Sequence, residues 1–410
     1  MNKTLILVAA TALTIGLPAA QATKLQDTPL KPALYTIRRG LPNTLFKLKH
    51  GNKVTIAYFG GSITAAEGWR VLTFDWFKKT YPRANLQQIH AAIGGTGSLL
   101  GVFRMDRDLL PHRPDLVFVE FAVNDGFGPF RKVIDQMEGI VRKIRKQYPE
   151  TDICFFYTIH QRHFKDYDAG NSPVTIRAME AVATHYGIPS INGGYKVYQL
   201  VKAGELGYPG ITRNKSLPIF SKDACHPHQV GHKIYTEFII ETIRHMQAGK
   251  AILPHPLPAT LSTNNYENAR MLAPFRACQF SSGWRKQTNH KYKNHFDELW
   301  TGKAGDSLSI RFKGTDLLLF DVVGPDTGQF ELFVDGKRKG NILQYDKYCT
   351  YYRLHNTRLA TNLQPDKIHE VTLKILPTPP TAPHTEMKSK GTHVNIGAIL
   401  LRGQIVHDHH

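Results

Sequence analysis

The chain has 410 residues, room for two domains or three at the usual domain size. Hydrophobic residues make up 41% and charged ones 21%, which excludes a collagen, a coiled coil and a wholly disordered chain. Four cysteines exclude a disulfide-dense scaffold, and the formal charge is +19.

Residues 1–22 read as a secretory signal peptide. Lys3 precedes an apolar run from Leu5 to Leu17, and small residues end at Ala20-Gln21-Ala22. The apolar core is too short for a membrane span and Pro18 follows it, so the expectation is export to the periplasm or the medium with cleavage after Ala22. In an oxidising compartment Cys154, Cys225, Cys278 and Cys349 have three possible pairings. Cys154 lies in an apolar run and reads as core, and Cys278–Cys349 is the bridge to test first. The positive charge is spread along the chain. It fits an anionic partner such as an acidic polysaccharide, and equally general solubility. No nucleic-acid-binding motif is recognisable.

Within a catalytic domain expected over residues 23–250, the chain from about 50 to 247 alternates short apolar runs with amphipathic ones. Residues 54–59, 116–121 and 153–157 are continuous apolar runs, expected of parallel strands covered on both faces. Val133, Met137, Ile140, Val141 and Ile144 recur at helical spacing, with Arg142, Lys143, Arg145 and Lys146 on the other face and Pro149 beyond the end. A second helix is expected over about 228–247. Strand and helix alternating in this way predict an α/β domain with a parallel sheet. Residues 251–258, with Pro254, Pro256 and Pro258, read as a stiff extended linker. Residues 259–410 change to a period of two. Residues 307–312 alternate cleanly, 329–334 run into the hairpin signal Asp335-Gly336, and 371–375 and 394–396 continue the pattern. This predicts a C-terminal β-sandwich.

Four short motifs sit where an α/β sheet binds ligands. The run at 54–59 ends in Gly60-Gly61-Ser62, so Ser62 stands at the carboxyl edge of the sheet, as a nucleophile or as a helix N-cap. The glycine-rich run from Ala92 to Ser98 presents backbone N–H groups to an anion, or is a plain turn. Asn124, just past the run at 116–121, is a side-chain donor into the crevice, or a turn residue. Asp223 and His226, three apart in Asp223-Ala224-Cys225-His226-Pro227, are a base and its orienting carboxylate. The spacing of His228 and His232 admits a metal, but neither a cysteine pair nor a carboxylate completes a ligand set, and none is expected.

Taken in order, these four blocks resemble the SGNH (GDSL-type) hydrolases, over residues 54–245. The resemblance implies a flavodoxin-like, three-layer α/β domain working without a cofactor or a metal. It implies Ser62 as nucleophile, His226 as the base and Asp223 as its orienting carboxylate. The backbone N–H groups of Ser62 and Gly95, with the Asn124 amide, would form the oxyanion hole. One position departs: Gly61 stands where the family has an aspartate. The β-rich half, through residues 305–315 and Phe333-Val334-Asp335-Gly336, resembles jelly-roll modules that accompany exported carbohydrate esterases. The function expected is an exported carbohydrate O-acetylesterase acting on an acetylated polysaccharide, an acidic one suiting the positive charge. The alternatives are an acyltransferase to glycans, a lipase or thioesterase of the same fold, and a glycan-binding protein without activity.

Overall fold

The apolar runs form the middle of a six-stranded sheet. The computed structural model describes residues 25–126 and 128–407, so the expected signal peptide lies outside the described residues. Strands β1 (Tyr35–Thr36), β2 (Lys53–Gly60), β3 (Asn85–His90), β4 (Leu116–Glu120), β5 (Asp152–Tyr157) and β6 (Ser190–Asn192) stand in the order β1-β6-β5-β4-β2-β3. Only the edge strand β1 runs antiparallel. Every residue of β4 and β5 is buried, as a sheet covered on both faces requires.

The helices are α1 (Pro42–Lys49), α2 (Ser62–Ala65), α3 (Trp69–Thr80), α4 (Ser98–Asp108), α5 (Phe130–Gln147), α6 (His163–Asp168), α7 (Val174–Tyr186), α8 (Gly193–Lys202) and α9 (Gln229–Arg244). Helices α4, α5 and α7 pack side by side, as do α3, α8 and α9. From β2 the chain moves first to β3 on one side, then returns to β4 on the other. The winding therefore reverses between β2 and β4, and the crevice at that reversal is where such sheets bind ligands. This is the flavodoxin-like three-layer domain expected.

Helix α5 corrects one expectation. Its apolar stripe is buried as predicted, but so are Arg142, Lys143 and Arg145 on the face expected to be solvated. The reason is the segment after residue 250, which lies along the helix. Arg145 donates to the carbonyl of Pro256 (2.7 Å), Arg142 to that of Pro258 (2.8 Å) and Lys143 to that of Ala269 (2.8 Å). Glu138 accepts from the backbone N–H groups of Leu261 and Ser262. The proline-rich stretch is extended, but it is fastened to the domain rather than spanning open solvent.

Among the described residues the C-terminal half is antiparallel β apart from a one-turn helix at Pro274–Ala277, with ten strands in one hydrogen-bonded network. Two long strands, Ser307–Val323 and Val394–Ile405, run through it. Leu317 and Leu319 face the core between its layers, while Leu318, Phe320 and Val322 face the α/β domain and join its core. At the junction Tyr266 sits so close to α5 that a Cβ on Gly139 would lie 2.8 Å from its backbone. All four cysteines are free thiols. The Cys278–Cys349 bridge does not form, because Cys278 packs on the core of the β domain and Cys349 lies in a separate cluster with Val323, Tyr345 and Ala382. No helix among the described residues is long and apolar enough to cross a membrane.

Candidate active site

The turn after β2 places Ser62 at the first position of α2, with Gly61 before it in extended backbone. Gly60 and Gly61 serve close approach here rather than a left-handed turn. A Cβ on Gly60 would lie 2.6 Å from the Glu120 carbonyl, and one on Gly61 would lie 2.0 Å from Asn124 Oδ1. This explains why position 61 carries no side chain: Asn124 occupies the space.

Ser62 Oγ lies 2.8 Å from His226 Nε2, and His226 Nδ1 lies 2.6 Å from Asp223 Oδ2. Asp223 Oδ1 accepts from Ser221 Oγ and from the N–H groups of Cys225 and His226. Desolvation alone would raise the Asp223 pKa. The hydrogen bonds from His226, Cys225 and Ser221 outweigh it and hold the carboxyl well below the usual range. Asp223 therefore stays ionised and fixes the imidazole. The loop reaches this shape through Ala224, whose φ of +63° is left-handed and costs an alanine roughly 1–2 kcal/mol. Its carbonyl is held by Tyr208 Oη (2.8 Å) and the Gln161 N–H (3.1 Å). The side chains of His226 and Asp223 are 51% and 56% exposed, so water reaches the site.

The glycine loop closes the other side. The Ile93 N–H donates to the Gly60 carbonyl, which ties the loop to β2. Gly95 has a φ of +72° and is exposed. A Cβ on Gly94 would lie 3.8 Å from Ser62 Cβ, so the loop faces the serine. Among the described residues no acceptor takes the N–H groups of Ser62 or Gly95, or the Asn124 amide. The structure thus brings every predicted site residue to one edge of the sheet. His232 stands apart: its Nδ1 accepts from the Trp69 N–H (3.2 Å) and its ring fills the space beside Gly68.

Two carboxyl groups support the site: Glu120, which no motif marks, and Asp125, which follows Asn124 in the third motif. Glu120, fully buried at the end of β4, accepts from Thr64 Oγ1 (2.8 Å), two residues past Ser62, and from Thr158 Oγ1 (2.7 Å). Burial raises its pKa against those hydrogen bonds. A lone carboxylate in the apolar run 116–121 was its only signal. Asp125 Oδ1 accepts from the Ser98 N–H at the start of α4 (2.9 Å), tying the β4 loop to the glycine loop.

Burial pushes the Asp125 carboxyl up to about 7. A folded pKa above the unfolded one means stability that is complete below pH 4 and is lost as the pH rises towards 7. Asp125→Asn keeps the acceptor and removes the charge. The variant is expected to gain stability over the parent of the order of 2–4 kcal/mol at pH 8, with the gain shrinking by pH 4.5. Urea melts at the two pH values measure this. A gain independent of pH would assign it to packing.

The fold and the site define a class first: a flavodoxin-like α/β domain with a serine–histidine–aspartate chain at the reversal point of its sheet. Residues 58–234 match the model of the GDSL-like lipase/acylhydrolase family. Residues 58–234 are thus a domain of the GDSL-like acylhydrolase type, which supports a carboxylic ester hydrolase. No curated protein matches the sequence. Among solved structures it is similar to a two-domain esterase (CEX) active on acetylated mannans, at 22% identity and a TM-score of 0.70, covering 88% of this chain and 95% of that one. The same esterase co-crystallised with mannopentaose gives 22% identity and a TM-score of 0.68, covering 89% of this chain and 94% of that one. An acetyl xylan esterase from Geobacillus stearothermophilus aligns at 13% identity and a TM-score of 0.39, covering 48% of this chain and 97% of that one.

Proposed function

We propose that this protein is an exported serine esterase that removes O-acetyl groups from a polysaccharide. The observation that carries the reading is the unbroken chain from Ser62 Oγ through His226 to Asp223, at 2.8 and 2.6 Å. His226 Nε2 takes the proton as Ser62 Oγ attacks the acetyl carbonyl. The tetrahedral oxyanion forms beside the N–H groups of Ser62 and Gly95 and the Asn124 amide. Its collapse expels the sugar hydroxyl, which takes the proton from His226 and leaves an acetyl-serine. Water, deprotonated by the same imidazole, attacks that ester and releases acetate. The exposure of His226 gives water access to the acyl-enzyme. The two-domain esterase of similar architecture acts on acetylated mannans, which supports an acetylated polysaccharide here, and the overall positive charge suits an acidic one.

The test is hydrolysis of nitrophenyl esters of two to twelve carbons. A steep preference for acetate is expected. A preference for long chains would move the protein to lipids or thioesters. Asn124→Ala is expected to lower kcat by roughly 10²–10³ with little change in KM, the signature of a lost oxyanion donor. A variant with raised KM and unchanged kcat would make Asn124 a substrate contact instead.

A further inference from the structure

A cleft of about 560 Å³ opens beside Asn124 and runs between the two domains. That is an ordinary size for a ligand site. One wall is the loop after β4 and the start of α5. The other belongs to the β domain and includes Asp316 and Arg358. Asn124, the side-chain donor beside Ser62, therefore lines a space that both domains shape.

The charges in this cleft are uneven. Lys132 lies on the α5 wall and Arg358, exposed, on the opposite one. Neither makes an ion pair or a hydrogen bond among the described residues; Lys132 only feels the nearby Asp135 through space. The carboxyl groups balance them only in part. Asp316 is bound by Arg402 (2.8 Å), Asp135 lies near Lys132 without touching it and accepts from Ser262 and Asn264, and the buried Asp125 carboxyl is pushed up to about 7. Asp125 Oδ2 and Asp316 Oδ1 have no hydrogen-bond partner among the described residues, but both atoms are closed to solvent, so an entering sugar meets the two cations first.

We propose that this cleft is a subsite for the sugar next to the acetylated one, and that Lys132 and Arg358 select chains in which that sugar carries an anionic group. The inference rests on the esterase reading and narrows its substrate class. Two cations on opposing walls attract a carboxylate or a sulfate alike. Arginine favours either through its planar fork, and such contacts weaken as salt screens them.

The experiment compares acetate release from three chemically acetylated polymers: polygalacturonate, a sulfated galactan and mannan. The full chain is expected to act on at least one anionic polymer about tenfold faster, in kcat/KM, than on mannan at low ionic strength, with the advantage shrinking at 0.5 M salt. Which anionic polymer leads distinguishes carboxylate from sulfate. In the Lys132→Gln/Arg358→Gln double variant, with folding checked by circular dichroism, the advantage should fall to about twofold or less. Arg358→Lys should keep part of it. Equal or better activity on mannan, in a protein that hydrolyses nitrophenyl acetate, overturns the charge selection and leaves the esterase reading intact. A preference that survives in the double variant overturns the assignment to these two residues. A wild-type protein that hydrolyses no acetate ester at all overturns the esterase reading itself, and this inference with it.

Discussion

Ser62→Ala is expected to abolish ester hydrolysis, by roughly 10³–10⁶-fold in kcat, with no loss of thermal stability. The two halves of this expectation have separate causes. Ser62 Oγ makes its hydrogen bond to His226 Nε2, whose ring is half exposed, so its removal strands no buried polar group. The chemistry, in contrast, has no second hydroxyl in place. His226→Ala should cost nearly as much, and adding it to Ser62→Ala should cost almost nothing more, because the residues act as a unit. Asp223→Asn should leave more residual rate, since it removes the imidazole's orientation but not the nucleophile or the base. Nitrophenyl acetate turnover, with melting curves on the same samples, measures all of these. Most of the activity surviving in Ser62→Ala would sink the assignment of the nucleophile.

The largest loss of stability is expected from Arg402→Met. Arg402 pairs with Asp316 at 2.8 Å, and the two side chains are 5% and 1% exposed. It also donates to the carbonyls of Asn264 and Asn265 and to Asn264 Oδ1, and stacks 4.1 Å over the Tyr266 ring. Removing it leaves Asp316 ionised in the interior and frees the chain that enters the β domain. Breaking a buried pair from one side typically costs about 3–5 kcal/mol. The double variant Arg402→Met/Asp316→Leu should recover much of that, because no uncompensated charge remains. Urea melts of the two variants test the point. A single variant as stable as the parent would mean that the pair adds no net stability.

The sequence displayed the reacting groups well and their supports poorly. Ser62, Asn124, Asp223 and His226 stood out because each follows a strand or precedes the last helix, where side chains must converge on one sheet edge. Glu120 did not. It sits inside an apolar run, and its partners come from elsewhere, Thr64 from α2 and Thr158 from the end of β5, a convergence that only the folded sheet displays. The basic face of α5 misled for a related reason. Helical periodicity separates polar from apolar positions, but it does not say whether water or protein meets the polar ones. Here backbone carbonyls of the proline-rich stretch do. Proline suits this use, because it offers an acceptor and no donor.

That docking bears on how freely the two halves can be exchanged. A chain cut after residue 250 would remove the carbonyls of Pro256, Pro258 and Ala269 from Arg145, Arg142 and Lys143, and would uncover the apolar patch that Leu318, Phe320 and Val322 now seal. The hydrolase half is consequently not a portable cassette. A chimera made by swapping β domains would need to carry residues 251–270 along with its host, because those residues complete the catalytic half even though they lie on the far side of its last helix.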